Sequence, residues 1–410
     1  MKWPLIILNI CLFAQASGNT ITVGKNAPIT TLRQAIQIAN AGDTILLQKG
    51  IYKEGNILIS KPVFLFGIGN PILDGENKNE ILTLTGKNIV ITGIQFANAG
   101  YSSMNDYAAI KVIDATGILI EKNIITNASF GVHMANTINS VIRNNQIVGT
   151  NKSEHLSGNG IHLWKCDQML VESNSISGHR DGIYFEFVTA STIKNNQSKK
   201  NVRYGLHFMF SNNDAYLGNT FENNGAGVAV MYSKEVRMEN NFFHKNWGAS
   251  AYGILLKDIS NSHILNNRFV QNTVGIHMEG SSRIEIGKNV FESNGWALKV
   301  QASCDDNSFF NNNFYGNSFD VATNGTMALN RFRGNYWDKY EGYDLNKDGT
   351  GDVPYHPVSM YAMVVEQSPS TLILMRSFMV TLLDKAEKAM PSLTPEHLAD
   401  NAPVIKPNKL

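Results

Sequence analysis

The chain has 410 residues, with 35 Lys and Arg against 34 Asp and Glu, and only 17% of its positions are charged. That balance provides no basic stripe and argues against a nucleic-acid partner, while the 34 glycines and abundant asparagines favour a turn-rich β protein over a helical one. The length suffices for one large core.

The N-terminus reads as an export signal spanning 1–17. Lys2 supplies the positive start, and Trp3 to Phe13 is an apolar run too short to cross a bilayer. Ala14-Gln15-Ala16 fits a cleavage site for small residues. A lipoprotein reading through Leu8-Asn9-Ile10-Cys11 fits poorly, because the residues before Cys11 are large. Export to the periplasm would remove Lys2 and leave 34 basic against 34 acidic residues. It would also remove Cys11 and leave Cys166 and Cys304. Next, Leu32, Ala35, Ile36 and Ala39 share one helical face, followed by a short strand over Thr44 to Leu47. This helix is expected to plug the open end of a core.

A repeat then takes over. The phrase Asn-x-(Ile/Phe) recurs with Asn at 123, 145, 174, 196, 219, 241, 267, 289, 312 and 330, although Ser198 breaks the apolar position once. A second phrase, Gly followed by Ile, Val or Leu, begins at 131, 160, 182, 205, 227, 253 and 275. Most intervals are 22 or 23 residues. The two long ones carry their excess in "TNKSEHLSGN" and "KNWGASAY", which read as turns. Period-2 strands repeating at this length predict a parallel β-helix, since a β-sandwich would not repeat at 22. Asn suits the bends and can stack into amide ladders.

The repeat stops near Phe332, so the β-helix with its cap is assigned to 18–332 and a C-terminal unit to 333–410. That unit holds "GNYWDKYEGYDLNKDGTGDVPYHPV", an amphipathic helix over Leu372 to Met390, and a polar, mobile tail. Arg376 and Asp384 interrupt the helix, so it is not read as membrane-spanning. Trp337, Tyr340, Tyr343 and Phe378 are its candidate partner-docking residues.

Aligned on the glycines, the strands send one residue into the core and the next outward. The outward column reads His133, His162, Tyr184, His207, Ala229, Leu255, His277 and Lys299. Two residues on, a second column reads Ala135, Trp164, Glu186, Met209, Met231, Lys257, Glu279 and Gln301. Neighbours in a column would lie about 4.8 Å apart. Thioethers beside an imidazole suit Cu(I). His207, Met209 and Met231, with His162, His133 and His277, are therefore the candidate copper ligands. An open stripe suits transient binding, and plain stacking or a hydrophobic contact patch is the structural alternative.

Cys166 and Cys304 fall six coils apart, about 29 Å, which excludes a disulfide. "SGHRDG" places His179, Arg180 and Asp181 in a turn before an outward strand, the best place for carbohydrate acid–base chemistry, but it lacks the paired carboxylates such chemistry uses. "DLNKDGTGD" opens like a calcium loop, with Asp344, Asn346, Asp348 and Asp352 as oxygen ligands. Tyr355 stands where an EF-hand needs Glu, so the full motif fails and an Asx-turn loop is the alternative.

The order helix, Gly-Asp-Thr-Ile, Gly-x-Tyr at the start resembles pectin-lyase-like β-helix proteins. "GHRDGIYFEF", "RYGLHFMFSNND", "NGAGVAVMYSKEVRMENNFF", "NGWALKVQAS" and the C-terminal "GNYWDKYEGYDLNKDGTGDVPYHPV" together resemble the NosD family. The resemblance runs from the cap to Pro-Tyr-His-Pro. It implies an all-β, right-handed parallel β-helix in the periplasm, and the chain is read as a non-enzymatic protein, with a carbohydrate-active enzyme and a metal-free docking scaffold as the alternatives. It further implies an ABC transporter (the ATPase NosF and the permease NosY), the copper chaperone NosL and apo nitrous-oxide reductase as partners. The role implied is assembly of the reductase's copper–sulfide centre.

Overall fold

The structure is a computed structural model that describes residues 18–102, 105–150, 157–325, 329–375, 377–389 and 398–410. The expected export signal with Cys11, residues 151–156 of the first long turn, and Arg376 lie outside the described residues.

Among these, 39 strands form three parallel sheets of 14, 12 and 13 strands. Each strand pairs in parallel with its counterpart one coil along, from Thr20–Val23 on Thr44–Gln48 to Asn313–Tyr315 on Tyr336–Trp337. The chain is thus a parallel β-helix, as its repeat predicts. The strands run to Trp337, five residues beyond the expected boundary at 332.

Helix α1 (Leu32–Ile38) closes the N-terminal end, with Leu32, Ala35, Ile36 and the following Ala39 buried. Thr31 caps it by accepting the Gln34 N–H at 3.3 Å. Lys61 Nζ donates to the Ala39 carbonyl at 2.7 Å, beside the carbonyl end of the helix.

The repeated asparagines form a buried amide ladder. Asn145 shows the pattern: its Nδ2 donates to the Ile120 carbonyl at 3.0 Å and to Asn174 Oδ1 at 2.9 Å, while its backbone N–H reaches the same oxygen at 3.0 Å. The ladder Asn does not itself turn the chain. Its predecessor does, as at Lys122, Asn144 and Asn195, which take φ of 53°, 55° and 56°. The sequence expectation errs at one rung. Asn330 belongs to a separate pair with Asn307, and the rung after Asn312 is Asn335, with Asn312 Nδ2 to Asn335 Oδ1 at 2.9 Å. The apparent spacing of 18 was a step between columns.

Inside, rings stack coil on coil. Phe243, Phe269, Phe291, Phe314 and Trp337 follow at centroid separations of 4.7, 4.8, 4.8 and 4.1 Å. Trp337 is 1% exposed and ends this stack. Its assignment to partner docking is therefore corrected: a ring inside the core presents no surface.

Over 398–410 the C-terminal tail is held against the β-helix, unlike the mobile polar segment expected of it. Leu398 and Asp400 are buried, and Asp400 Oδ2 accepts from Asn335 N (3.1 Å), Asn335 Nδ2 (2.9 Å) and Trp337 Nε1 (3.2 Å). Asn408 exchanges hydrogen bonds with Asn313, donating its N–H at 2.9 Å and accepting from Nδ2 at its carbonyl at 2.9 Å. The single helix expected over Leu372 to Met390 is instead a 3-10 stretch, Pro369–Leu374, and a helix, Phe378–Ala389. Helix α2 (Met360–Gln367), which sequence reading missed, precedes them; the helix at Phe378–Ala389 is α3. Tyr361, Ala362 and Val365 of α2 pack with Phe319 of the β-helix, and Lys299 Nζ pairs with Glu366 at 2.7 Å. Among the described residues, no helix is long and apolar enough to cross a membrane.

Candidate functional site

The two columns are real. Register pairs run His133–His162, His162–Tyr184, Tyr184–His207, His207–Ala229, Ala229–Leu255 and Leu255–His277. Alongside run Trp164–Glu186, Glu186–Met209 and Met209–Met231. These residues lie outside the β-helix core, as alternation predicts, but they are not open to solvent. His133, Tyr184 and His207 are buried, and His162, Met209, Met231 and His277 are half-buried. Aromatic neighbours cover them: Phe130 sits at 5.8 and 5.6 Å from the His133 and His162 rings, and Tyr204 at 4.9 Å from His207.

At the N-terminal end of the stripe an open groove of about 390 Å³ is lined by Asp106, Lys111, His133, His162, Trp164 and Glu186, with Ile113 and Ala135. The His133 and His162 rings are 4.6 Å apart. His133 Nδ1 is buried without a hydrogen-bond partner, and Asn159 Nδ2 lies 3.1 Å from His162 Nδ1. Burial pushes the His133 imidazole down to about 4 and His162 to about 3, so both stay neutral near pH 7 and can ligate.

Tyr184 separates this pair from His207, with ring centroids 4.7 Å from His162 and 5.0 Å from His207. Its hydroxyl reaches Glu186 Oε2 at 3.3 Å and the Met209 sulfur at 3.6 Å. Burial, then the Glu186 charge, pushes this phenol up to about 12, so it remains a donor.

His207 sits in a lock that sequence reading missed. Asp181 is fully buried and takes Arg203 in a forked pair, Nε to Oδ1 at 2.9 Å and Nη2 to Oδ2 at 2.5 Å. Arg203 Nη2 is also 3.4 Å from His207 Nδ1, and Asp181 Oδ2 is 3.8 Å from it. Burial alone would raise the Asp181 carboxyl, but the Arg203 bonds outweigh it and hold it below the usual range. His207 Nε2 is buried and unpartnered. Asp181 and Tyr204 are register partners, and Arg203, the residue before Tyr204, reaches Asp181 from just outside the strand.

The same lock takes up Asp181 of the turn considered for carbohydrate chemistry. His179 is buried with Nδ1 3.3 Å from the Ser129 carbonyl, and Asp181 is committed to Arg203. Both side chains are enclosed within the fold. His277 lies three coils from His207, beyond Ala229 and Leu255, and is not brought to the other candidates. No three His, Cys, Asp or Glu side chains converge on a metal position among the described residues.

In the 344–352 loop the candidate calcium ligands accept the loop's own N–H groups. Asp344 takes Asp348 N and Gly349 N at 3.1 and 2.9 Å, Asn346 takes Asp348 N at 3.0 Å, Asp348 takes Thr350 N at 2.8 Å, and Asp352 takes Leu345 N at 2.6 Å. This is the geometry of Asx turns. Of the remaining docking candidates, Tyr340 is half-buried with its hydroxyl donated to the Val353 carbonyl at 2.7 Å, Tyr343 is exposed, and Phe378 is 81% exposed. Ile373, Leu374, Met379 and Leu382 are exposed nearby in sequence. Cys166 and Cys304 are free and buried.

The profile of the family described as "Periplasmic copper-binding protein (NosD)" matches residues 138–342, half of the chain. The "Probable ABC transporter binding protein NosD" of Pseudomonas aeruginosa is 29% identical over 371 residues, 86% of each chain. Its namesake from Stutzerimonas stutzeri is 30% identical over 124 residues, 30% of this chain and 28% of that one. Among solved structures, an exopolygalacturonase of Yersinia enterocolitica superposes with TM-score 0.61 at 10% identity, covering 78% of this chain and 79% of that one. The catalytic unit of an α-1,3-glucanase from Streptomyces thermodiastaticus superposes with TM-score 0.60 at 12% identity, covering 80% and 67%. At such low identity these two speak for the fold alone. The profile spans the candidate columns from His162 through His277 and the first part of the C-terminal unit, and on it the chain belongs to the NosD family of periplasmic copper-binding proteins.

Proposed function

We propose that this chain is a non-enzymatic periplasmic carrier that takes Cu(I) transiently on its imidazole–thioether stripe. It passes the ion toward apo nitrous-oxide reductase. The observation that carries this reading is the register pair Met209–Met231 beside His207, in a chain of a copper-binding family. Two thioethers on adjacent coils form a soft donor set, and half-burial leaves them reachable by a partner's ligands. A copper chaperone of the NosL kind would deliver the ion. An ABC transporter, with a NosY-like permease and a NosF-like ATPase, would hold the carrier at the inner membrane. The relatives' names support that partner. The exposed apolar residues Ile373, Leu374, Phe378 and Met379, with Tyr343, would provide the seat on the permease. A transient calcium role for the 344–352 loop is not needed by this reading.

Anaerobic Cu(I) titration against a chromophoric competitor tests it. Wild type is expected to withdraw copper from the competitor, and His207→Ala/Met209→Ala/Met231→Ala to do so at least tenfold more weakly. Equal binding by both would remove these residues from the site, and no binding by wild type would leave a metal-free docking scaffold. The sequence alternative, a carbohydrate lyase or epimerase, would be revived by turnover of uronate polymers that Asp181→Asn abolishes.

A further inference from the structure

We infer that the stripe is two separate metal stations, an imidazole station at His133 and His162 in the groove and a thioether station at Met209 and Met231. This inference rests on the copper-handling reading above and divides its site.

Distance requires the division. His162 and His207 are two coils apart, about 9.6 Å at the strand spacing. One ion with ligands near 2.0–2.3 Å cannot hold both. The Tyr184 ring fills the coil between them. Arg203 closes the other approach to His207, since its guanidinium lies against Nδ1 and disfavours a second cation there. The Nδ1 of His207 is therefore committed to the lock, only its unpartnered Nε2 is left to serve beside Met209 and Met231, and the ligating groups fall into two sets.

The imidazole station has its own features. Its rings are adjacent coil neighbours at 4.6 Å, a separation at which small ring rotations bring two nitrogens onto one ion. His133 Nδ1 is a buried nitrogen with nothing bonded to it, and both rings line the one groove. Asp106 and Glu186 on the groove wall offer charge compensation for a cation. Two protein ligands leave coordination positions for the ligands of an arriving partner, which handover needs. Nitrogen-only ligation suits copper or zinc, whereas the thioethers select Cu(I). Glu186 joins the two halves, lining the groove while standing in register with Met209.

The experiment is an anaerobic titration of the mature chain with copper alone, read by stoichiometry and by X-ray absorption at the copper edge. Wild type is expected to take two Cu(I). His133→Ala/His162→Ala should take one and keep sulfur scattering. Met209→Ala/Met231→Ala should take one with nitrogen and oxygen scattering only. Zn(II) should fill one position in wild type and none in the His133/His162 variant. His133→Asn/His162→Asn, with circular dichroism and thermal melts, controls for folding and should behave like the alanine pair. A single equivalent in wild type with mixed nitrogen and sulfur scattering, or two equivalents retained without His133 and His162, overturns the two-station inference while leaving copper handling intact. No copper on wild type overturns the reading beneath it.

Discussion

Asp400 closes the asparagine ladder by accepting both the backbone and the side-chain N–H of Asn335, 65 residues earlier in the chain. Every other rung passes its two donors to an identical amide. Only the last needs a different acceptor, and a carboxylate shared with Trp337 Nε1 provides it.

Asp400→Ala leaves three buried N–H groups unpaired and should cost about 3–5 kcal/mol. Asp400→Asn keeps an acceptor oxygen and should cost less than half of that. Urea denaturation followed by tryptophan fluorescence measures both. Equal stability of Asp400→Ala and wild type would show the ladder end to be solvated.

Arg203→Ala strands the buried Asp181 carboxylate and should destabilise the chain by about 3–5 kcal/mol. Arg203→Met/Asp181→Asn removes both charges and should recover most of it. A double-mutant cycle by chemical denaturation reads the coupling; additive single effects would sink the lock. Because the folded Asp181 pKa lies below its unfolded value, this contribution is present above the unfolded value and is lost as pH falls through the folded one.

Acid should weaken the fold through its buried histidines from about pH 6.5 downward. His133, His162 and His179 are pushed to about 4, 3 and 4 by burial, against 6.5 when unfolded. Above 6.5 neither state is protonated at these rings and they add no pH dependence. Below it the unfolded chain binds protons that the folded chain refuses, so stability falls by up to about 4 kcal/mol per pH unit toward pH 4. Denaturation midpoints between pH 7 and 4.5 check this, and His179→Gln should flatten the slope by about a third.

Phe378→Asp and Ile373→Asp alter side chains that are 81% and 89% exposed and should leave the melting temperature within about 2 °C, a surface effect under about 0.5 kcal/mol. Both should weaken co-purification with the transporter subunits at least fivefold. Undiminished recovery would move the seat elsewhere.

The thiols should be silent. Burial raises the Cys166 thiol to about 11 and also raises Cys304. A chromogenic disulfide reagent should leave both untouched in native protein and label both in guanidinium.

What the sequence made legible was whatever repeats. The column order from His133 to His277 could be read because a 22-residue period and a two-residue alternation fix side-chain direction. The cap face of Leu32, Ala35 and Ile36 followed from a single helical period. What covers the columns could not be read this way: Arg203 reaches His207 from just before the strand, where no alternation dictates orientation, and Tyr204 does so from the first residue of the strand. The Asp400 contact was invisible for a related reason, being one non-periodic acceptor from a polar tail. Trp337 was misjudged because aromatic content after a repeat looks like surface when the final rung is placed at Asn330 instead of Asn335.

The constant rise of the coils makes this molecule a length standard. The groove at His133 and the strut at Lys299, where Glu366 of α2 is anchored, are seven coils apart, or about 34 Å. Coil count, not loop flexibility, therefore fixes how far the groove stands from the C-terminal unit. Inserting or excising a whole coil would move the groove along that gauge in steps of about 4.8 Å with every rung still made.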